Sequence, residues 1–147
     1  MRFMLIVKAD RNSEQGVLPT REMLEEMTQF NEEMARAGVL IAAEGLHPST
    51  RGARVIFRDG QRIVVSGPFP DTTSLVAGYW LINAPSLEAA IDWAKRSPNP
   101  MGEGHEAEIE IRPIMEASDF PAELFPHEAA AREQALRETL DQNVPRH

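Results

Sequence analysis

The sequence predicts an α+β domain: an antiparallel sheet with two amphipathic helices against one face. Three observations carry this expectation. Two segments, residues 20–37 and 86–97, have apolar residues at helical spacing. Short apolar or alternating runs of strand length surround them. Asp59-Gly60 separates two such runs, and Asp-Gly between apolar runs is a strong hairpin signal.

The first element is the strand RFMLIVK at residues 2–8, short, apolar and closed by polar residues. The same stretch could begin a signal peptide. Its apolar run is short, however, and Lys8-Ala9-Asp10 follows where small residues should mark a cleavage site. ADRNSEQGVLP then reads as a polar loop. Thr20 can cap a helix with its hydroxyl, and Glu22, Glu25 and Glu26 sit near the positive end of the helix dipole. Met23, Met27, Phe30, Met34 and Ala37 form one apolar stripe, stopped by Gly38.

Residues 39–46, VLIAAEGL, read as the second strand, 53–58 and 62–65 as the arms of the hairpin, and 77–83, AGYWLIN, as the next strand. Ser86 caps a second helix whose buried stripe is Leu87, Ala90, Ile91 and Ala94. Pro98 and Pro100 end that region. Residues 107–114 alternate, with Ala107, Ile109 and Ile111 on one side and Glu108, Glu110 and Arg112 on the other. The order is β-α-β-β-β-α-β. With the hairpin set aside as an elaboration of the sheet, this is the split βαβ pattern of a ferredoxin-like fold. The face away from the helices carries the charges of the last strand and either Tyr79 or Trp80. Such a mixed face suits a partner surface or a ligand cleft.

The domain is expected to span residues 1–115. Residues 116–147 differ: Phe120, Leu124 and Phe125 are spread among prolines, and HEAAAREQALRETLDQ follows as a helix with Glu128–Arg132 and Glu133–Arg137 pairs. The stripe Ala129, Leu136 and Leu140 is thin, so this extension reads as an arm packing on the domain or on a second subunit.

Composition excludes several function classes. With 147 residues the chain holds one ordinary domain, and no run approaches the roughly 18 apolar residues of a membrane span. No cysteine is present, which rules out disulfides, thiolate metal sites and cysteine nucleophiles. A cysteine-free chain without a secretion signal is expected to be cytoplasmic. The net charge is −8, with no Lys/Arg cluster to grip nucleic acid. From Glu116 onward seven acidic residues face three arginines, so half of that charge lies in the extension.

MRFMLIVKA, ARAGVLIAAEGLHPS, VVSGPFPDTTSLVAGYWLI and IEIRPIM follow in the order seen in YCII-related proteins, over about residues 1–115. The chain resembles in particular their DGPF subgroup, named for an Asp-Gly-Pro-Phe motif. The resemblance implies a ferredoxin-like domain that pairs sheet to sheet as a dimeric α/β barrel, hence a homodimer. Some YCII relatives are associated with lyase or dehydrochlorinase chemistry, using a His and an Asp in a cleft. Some DGPF relatives are associated with extracytoplasmic-function sigma factors. The motif departs from the subgroup at Ser66, where the Asp would stand, at Asp71, in place of a Glu, and at Thr73, where a Lys is frequent. Gly67, Pro68 and Phe69 remain, and their backbone demands read as structural.

The expected site is a cleft between sheet and loops. Glu44, near the end of an apolar strand, is a candidate base or ligand anchor, or else one half of a salt bridge with Arg112 or across a dimer. Asp71 is a second candidate base, or simply a cap on its own turn with Thr72 and Thr73. His47 and His105 are candidate proton carriers, or exposed loop histidines. His127 and the terminal His147 read as solvated. Tyr79 or Trp80 would stack on a ligand, and Arg112 would hold an anionic group. His105, Glu106, Glu108 and Glu110 are metal-ligand types, but strand alternation sends His105 to the face opposite the glutamates, and no metal or cofactor is expected. The methionines of the first helix read as core. Two functions follow: a small-molecule enzyme or binder, or a non-catalytic regulatory module linked to a sigma factor through the acidic extension.

Overall fold

The computed structural model describes residues 1–143. Its strands are β1 (Arg2–Lys8), β2 (Leu40–Gly45), β3 (Ala53–Arg58), β4 (Gln61–Ser66), β5 (Val76–Asn83) and β6 (Ile109–Pro113). Its helices are α1 (Arg11–Glu14), α2 (Arg21–Arg36), α3 (Leu87–Arg96) and α4 (His127–Gln142). The chain divides into two compact units, one from Met1 to Ile114 and one from Met115 onward.

In the first unit four antiparallel strands lie in the order β2-β5-β1-β6. With two helices packed against one face, this is the ferredoxin-like arrangement. The alternation of β1 decides which face is buried. Phe3, Leu5 and Val7 are 1%, 0% and 8% exposed, and they meet Phe30 and Met34 of α2 and Ala90 of α3 in one core. Ile109 and Ile111, paired with Val7 and Leu5, pack against the same core. Both helices begin as the sequence predicts. Thr20 Oγ1 accepts from the Met23 amide at 3.2 Å, and Ser86 Oγ accepts from the Ala89 amide at 3.2 Å. After α2, Gly38 takes a φ of +72°, and the Val39 amide turns back to the Met34 carbonyl at 3.0 Å.

The register resolves the two aromatic residues of β5. Trp80 pairs with Leu5 and Ala43 and lies in the core, 4% exposed. Its ring meets Phe30 edge-on at 5.8 Å, and its Nε1 donates to Asn31 Oδ1 at 2.7 Å. Tyr79 pairs with Ile6 and Glu44, so these three share the face away from the helices. Glu110 and Arg112 of β6 lie on that face as well, opposite Ile6 and Met4.

The structure differs from expectation at three places. Leu87, which its spacing puts in the buried stripe of the second helix, is 47% exposed, leaving Ala90 as the buried residue of α3. The β3–β4 hairpin forms a two-stranded sheet of its own instead of elaborating the main one. Val55, Phe57 and Val64 remain exposed, and the guanidinium of Arg62 lies 4.6 Å over the Phe57 ring. The segment read as a polar loop after β1 contains the single-turn helix α1. Asp10 caps it reciprocally: the Ser13 amide donates to Asp10 Oδ1 at 2.8 Å and the Asp10 amide donates to Ser13 Oγ at 2.9 Å. Four residues offer no apolar stripe, so periodicity could not reveal this turn.

In the second unit, a short 3₁₀ turn at Ala117–Asp119 precedes α4. Phe120 and Phe125 bring their rings within 5.8 Å, and Arg137 reaches both Glu133 and Glu116. Leu136 and Leu140 stay exposed. His127 opens α4 in an exposed position, and His147 lies outside the described residues.

Trp80 joins sheet to helix by both an aromatic edge and a hydrogen bond. Trp80→Ala is therefore expected to cost about 3–5 kcal/mol, and Asn31→Ala about 1 kcal/mol, as measured by equilibrium urea unfolding.

Candidate functional site

One end of the sheet opens into a cleft of about 790 Å³, within the size range of small-molecule sites. The end of β1 and the start of β5 form its floor with Val7, Ala77 and Trp80. Helix α2 supplies Met23, Met27 and Asn31, and the loop before it supplies Val17 and Leu18. The β2 exit adds Leu46, His47 and Pro48, and the segment after α3 adds Asn99, Met101, Glu103 and His105.

Hydrogen bonds within the loops hold these walls. After α3, Asn99 donates from Nδ2 to the His105 carbonyl at 2.7 Å and accepts the Met101 amide at 2.9 Å. Gly102 sits inside this turn at a φ of +98°, a left-handed conformation that favours glycine, although a Cβ there would meet the Met23 side chain and the His105 ring only at ordinary contact distance. On the opposite wall the Leu46 amide donates to the Ala77 carbonyl at 2.8 Å, which fixes the chain just before His47. Arg51 Nη1 lies 3.0 and 3.2 Å from the two ring nitrogens of His47, spanning the imidazole.

A second set of contacts ties the neighbouring loops together through Ser49. Its hydroxyl donates to the Glu14 carboxylate, its amide donates to Glu14 Oε1 at 3.0 Å, and its Oγ accepts the Phe69 amide at 3.0 Å. This explains the Gly-Pro-Phe stretch. A Cβ on Gly67 would overlap the Ser49 carbonyl oxygen, so only glycine fits there. The Phe69 ring is capped by the Arg54 guanidinium, 3.8 Å from its centroid. The stretch anchors the base of the hairpin to α1 and does not line the cleft.

The expected site residues divide into three groups. His47, His105 and Trp80 line the cleft, although Trp80 is largely enclosed in the core. Glu44, near the end of β2, and Tyr79, within β5, border it, while the register puts both on the sheet face opposite Trp80. Asp71 and Arg112 do not border it. Arg112 lies on β6, at the other edge of the sheet from Glu44, and pairs with Glu110 at 3.4 Å. A salt bridge between Glu44 and Arg112 within one chain is thus excluded by strand order. Asp71 caps its own turn, accepting from the Thr73 hydroxyl at 2.6 Å and the Thr73 amide at 3.2 Å. Among the described residues no group of three His, Asp or Glu side chains comes together as a metal site requires.

Sequence reasoning missed Met23 and Met27 as cleft walls, because one apolar stripe serves both core and cavity. It also missed Val17 and Leu18, which are 60% and 85% exposed. Their signal was a Val-Leu pair inside a loop, where no core requires it.

Residues 1–117 match the YCII-related domain. The chain belongs to the YCII-related family. An uncharacterized protein of Rhizobium meliloti (strain 1021) is 28% identical over 92 residues, covering 63% of this chain and 73% of that protein. Among solved structures, 5-chloro-2-hydroxyhydroquinone dehydrochlorinase from Burkholderia phenoliruptrix AC1100, in complex with 2,5-dihydroxybenzoquinone, superposes with a TM-score of 0.44 at 10% identity. That superposition covers 82% of this chain and all of the dehydrochlorinase, a likeness too distant to bear on activity. The match stands at the level of the YCII-related domain, and the subgroup resemblance rests on the sequence motif. No helix among the described residues is long and apolar enough to cross a membrane.

The Thr73 hydroxyl donating to Asp71 stabilises the carboxylate and holds its pKa below the ordinary 3.8. The cap's contribution is therefore complete above the ordinary value and is lost as pH falls through the depressed one. In an NMR pH titration, the Thr73 amide resonance is expected to move with a midpoint below 3.8. In Thr73→Val the Asp71 midpoint should rise toward the ordinary value.

Proposed function

We propose that this YCII-related protein binds, and chemically transforms, a small and largely apolar molecule in the cleft at the end of its sheet. One observation carries the reading. A single cavity of about 790 Å³ gathers two histidines from separate loops over a floor of methionine and tryptophan. An apolar floor with a few convergent polar groups is the usual composition of a ligand site. In this reading His47 and His105 are the proton-transfer groups, two imidazoles brought to one cavity from separate loops. Glu44 and Tyr79 stand at the cleft's border, but the register turns both to the opposite face of the sheet, so neither anchors the ligand. Asp71 and Arg112 take no part: the first is occupied by its own turn and the second pairs with Glu110. The sigma-factor expectation draws no support from the family match.

Thermal-shift screening against a metabolite library tests the reading. A ligand that stabilises the parent protein is expected to lose most of its effect in His47→Ala and His105→Ala. Asp71→Ala and Arg112→Ala should keep the full shift. Unchanged shifts in both histidine variants would remove the cleft from consideration.

The same reading includes a homodimer formed through the sheet face away from the helices. Met4 and Ile6 of β1 and Tyr79 and Leu81 of β5 are half-buried in the middle of that face, with Glu44 and Glu110 on the edge strands. An apolar centre ringed by charge suits an isologous contact. Sedimentation analysis is expected to give a dimer for the parent and a monomer for Leu81→Glu. A dimeric Leu81→Glu variant would place the contact elsewhere.

A further inference from the structure

The charges around the cleft are one-sided. Asp10, Glu26, Glu44 and Glu103 border it, and no lysine or arginine does. Outside the lining the Arg51 guanidinium lies across the His47 ring, and Arg11 and Arg21 neighbour lining residues in the chain without entering the lining, which stays negative. Lys8 is drawn to Glu110, 3.8 Å away, and Arg96 to Glu33, so neither offsets the carboxylates. A charge need not point inward to act. Its field reaches about 8–10 Å at ordinary salt, and low-dielectric walls focus it into a concave site.

We infer that the cleft selects a neutral or cationic amphipathic ligand, with an aryl or alkyl amine the preferred class, and rejects carboxylates and phosphates. This rests on the cleft being a ligand site at all, and it goes further by fixing the sign of what enters. The apolar floor of Met23, Met27 and Trp80 takes the hydrocarbon part. Glu26 and Glu103 at its border take an ammonium or hydroxyl group, and a carboxylate ligand would meet like charge with no lysine or arginine in the lining to offset it. The expected anion-holding role of Arg112 is thereby replaced: that arginine lies on an edge strand outside the cleft.

Three probes of similar size and different charge test the inference: 2-phenylethylamine, 2-phenylethanol and 3-phenylpropanoate. Each is titrated at neutral pH and low salt into full-length protein, following the Met23 and Met27 methyl signals and the Trp80 indole signal by NMR. The amine is expected to bind at least about tenfold tighter than the acid, with the alcohol between them. In Glu26→Gln/Glu103→Gln the amine-to-acid ratio should fall to about threefold or less, a change that loss of packing alone does not produce. If the acid binds as tightly as the amine and moves the same signals, the charge inference is overturned while the cleft remains a ligand site. If none of the three moves those signals, the ligand-site reading fails and takes this inference with it.

Discussion

Leu5 and Trp80 lie opposite each other on the two central strands, and both are almost completely withdrawn from solvent. That pairing sets the phase of the whole sheet, because strand residues alternate strictly between faces. Once Leu5 and Trp80 face the helices, Phe3, Val7, Ile82, Ile109 and Ile111 must join them. Ile6, Tyr79, Glu44 and Glu110 must take the other side. A slip of one residue would expose the entire apolar set. The Trp80–Asn31 hydrogen bond adds a directional lock to this packing, since a buried indole N–H without an acceptor costs stability.

The cleft follows from the same geometry. The helices cover the middle of the sheet, and at the end where β1 exits and β5 enters the cleft lies between α2 and the loops. Residues 15–20, 46–48 and 98–105 meet there, and each is held by its own turn chemistry. Catalytic and binding groups tend to lie on loops carried by a rigid scaffold, and His47 and His105 fit that pattern. Ser49 joins this end to the rest of the unit. It collects Glu14 and Phe69, residues far apart in sequence, and so couples α1 to the base of the hairpin.

Much of the fold was legible in the sequence, because its elements are defined by local signals. The methionine stripe of α2, the Thr20 and Ser86 caps and the Asp59-Gly60 turn each act over a few residues, and each forms as written. What depended on distant partners was not legible. The choice between Tyr79 and Trp80 for the core needed the register against Leu5. The placement of Arg112 away from Glu44 needed the strand order. The Glu14–Ser49 contact spans 35 residues and has no local trace. The site was legible only in part for the same reason. Histidines next to glycine and proline marked loops near strand ends, but which loops converge is a property of topology.

The β3–β4 hairpin leaves the four-stranded sheet after β2 and returns before β5, and these two strands are already neighbours in that sheet. Its base is closed by the Gly67 amide on the Gly52 carbonyl at 3.0 Å, and its tip is the left-handed pair Asp59 and Gly60. The excursion is thus spliced into the chain without interrupting the order of the sheet. Lengthening such a closed loop raises its entropic cost by only about 0.6 kcal/mol per doubling. The tip is therefore a natural port for grafted sequence: an epitope, a fluorophore tag or a whole guest domain can be carried there while the cleft and core keep their geometry.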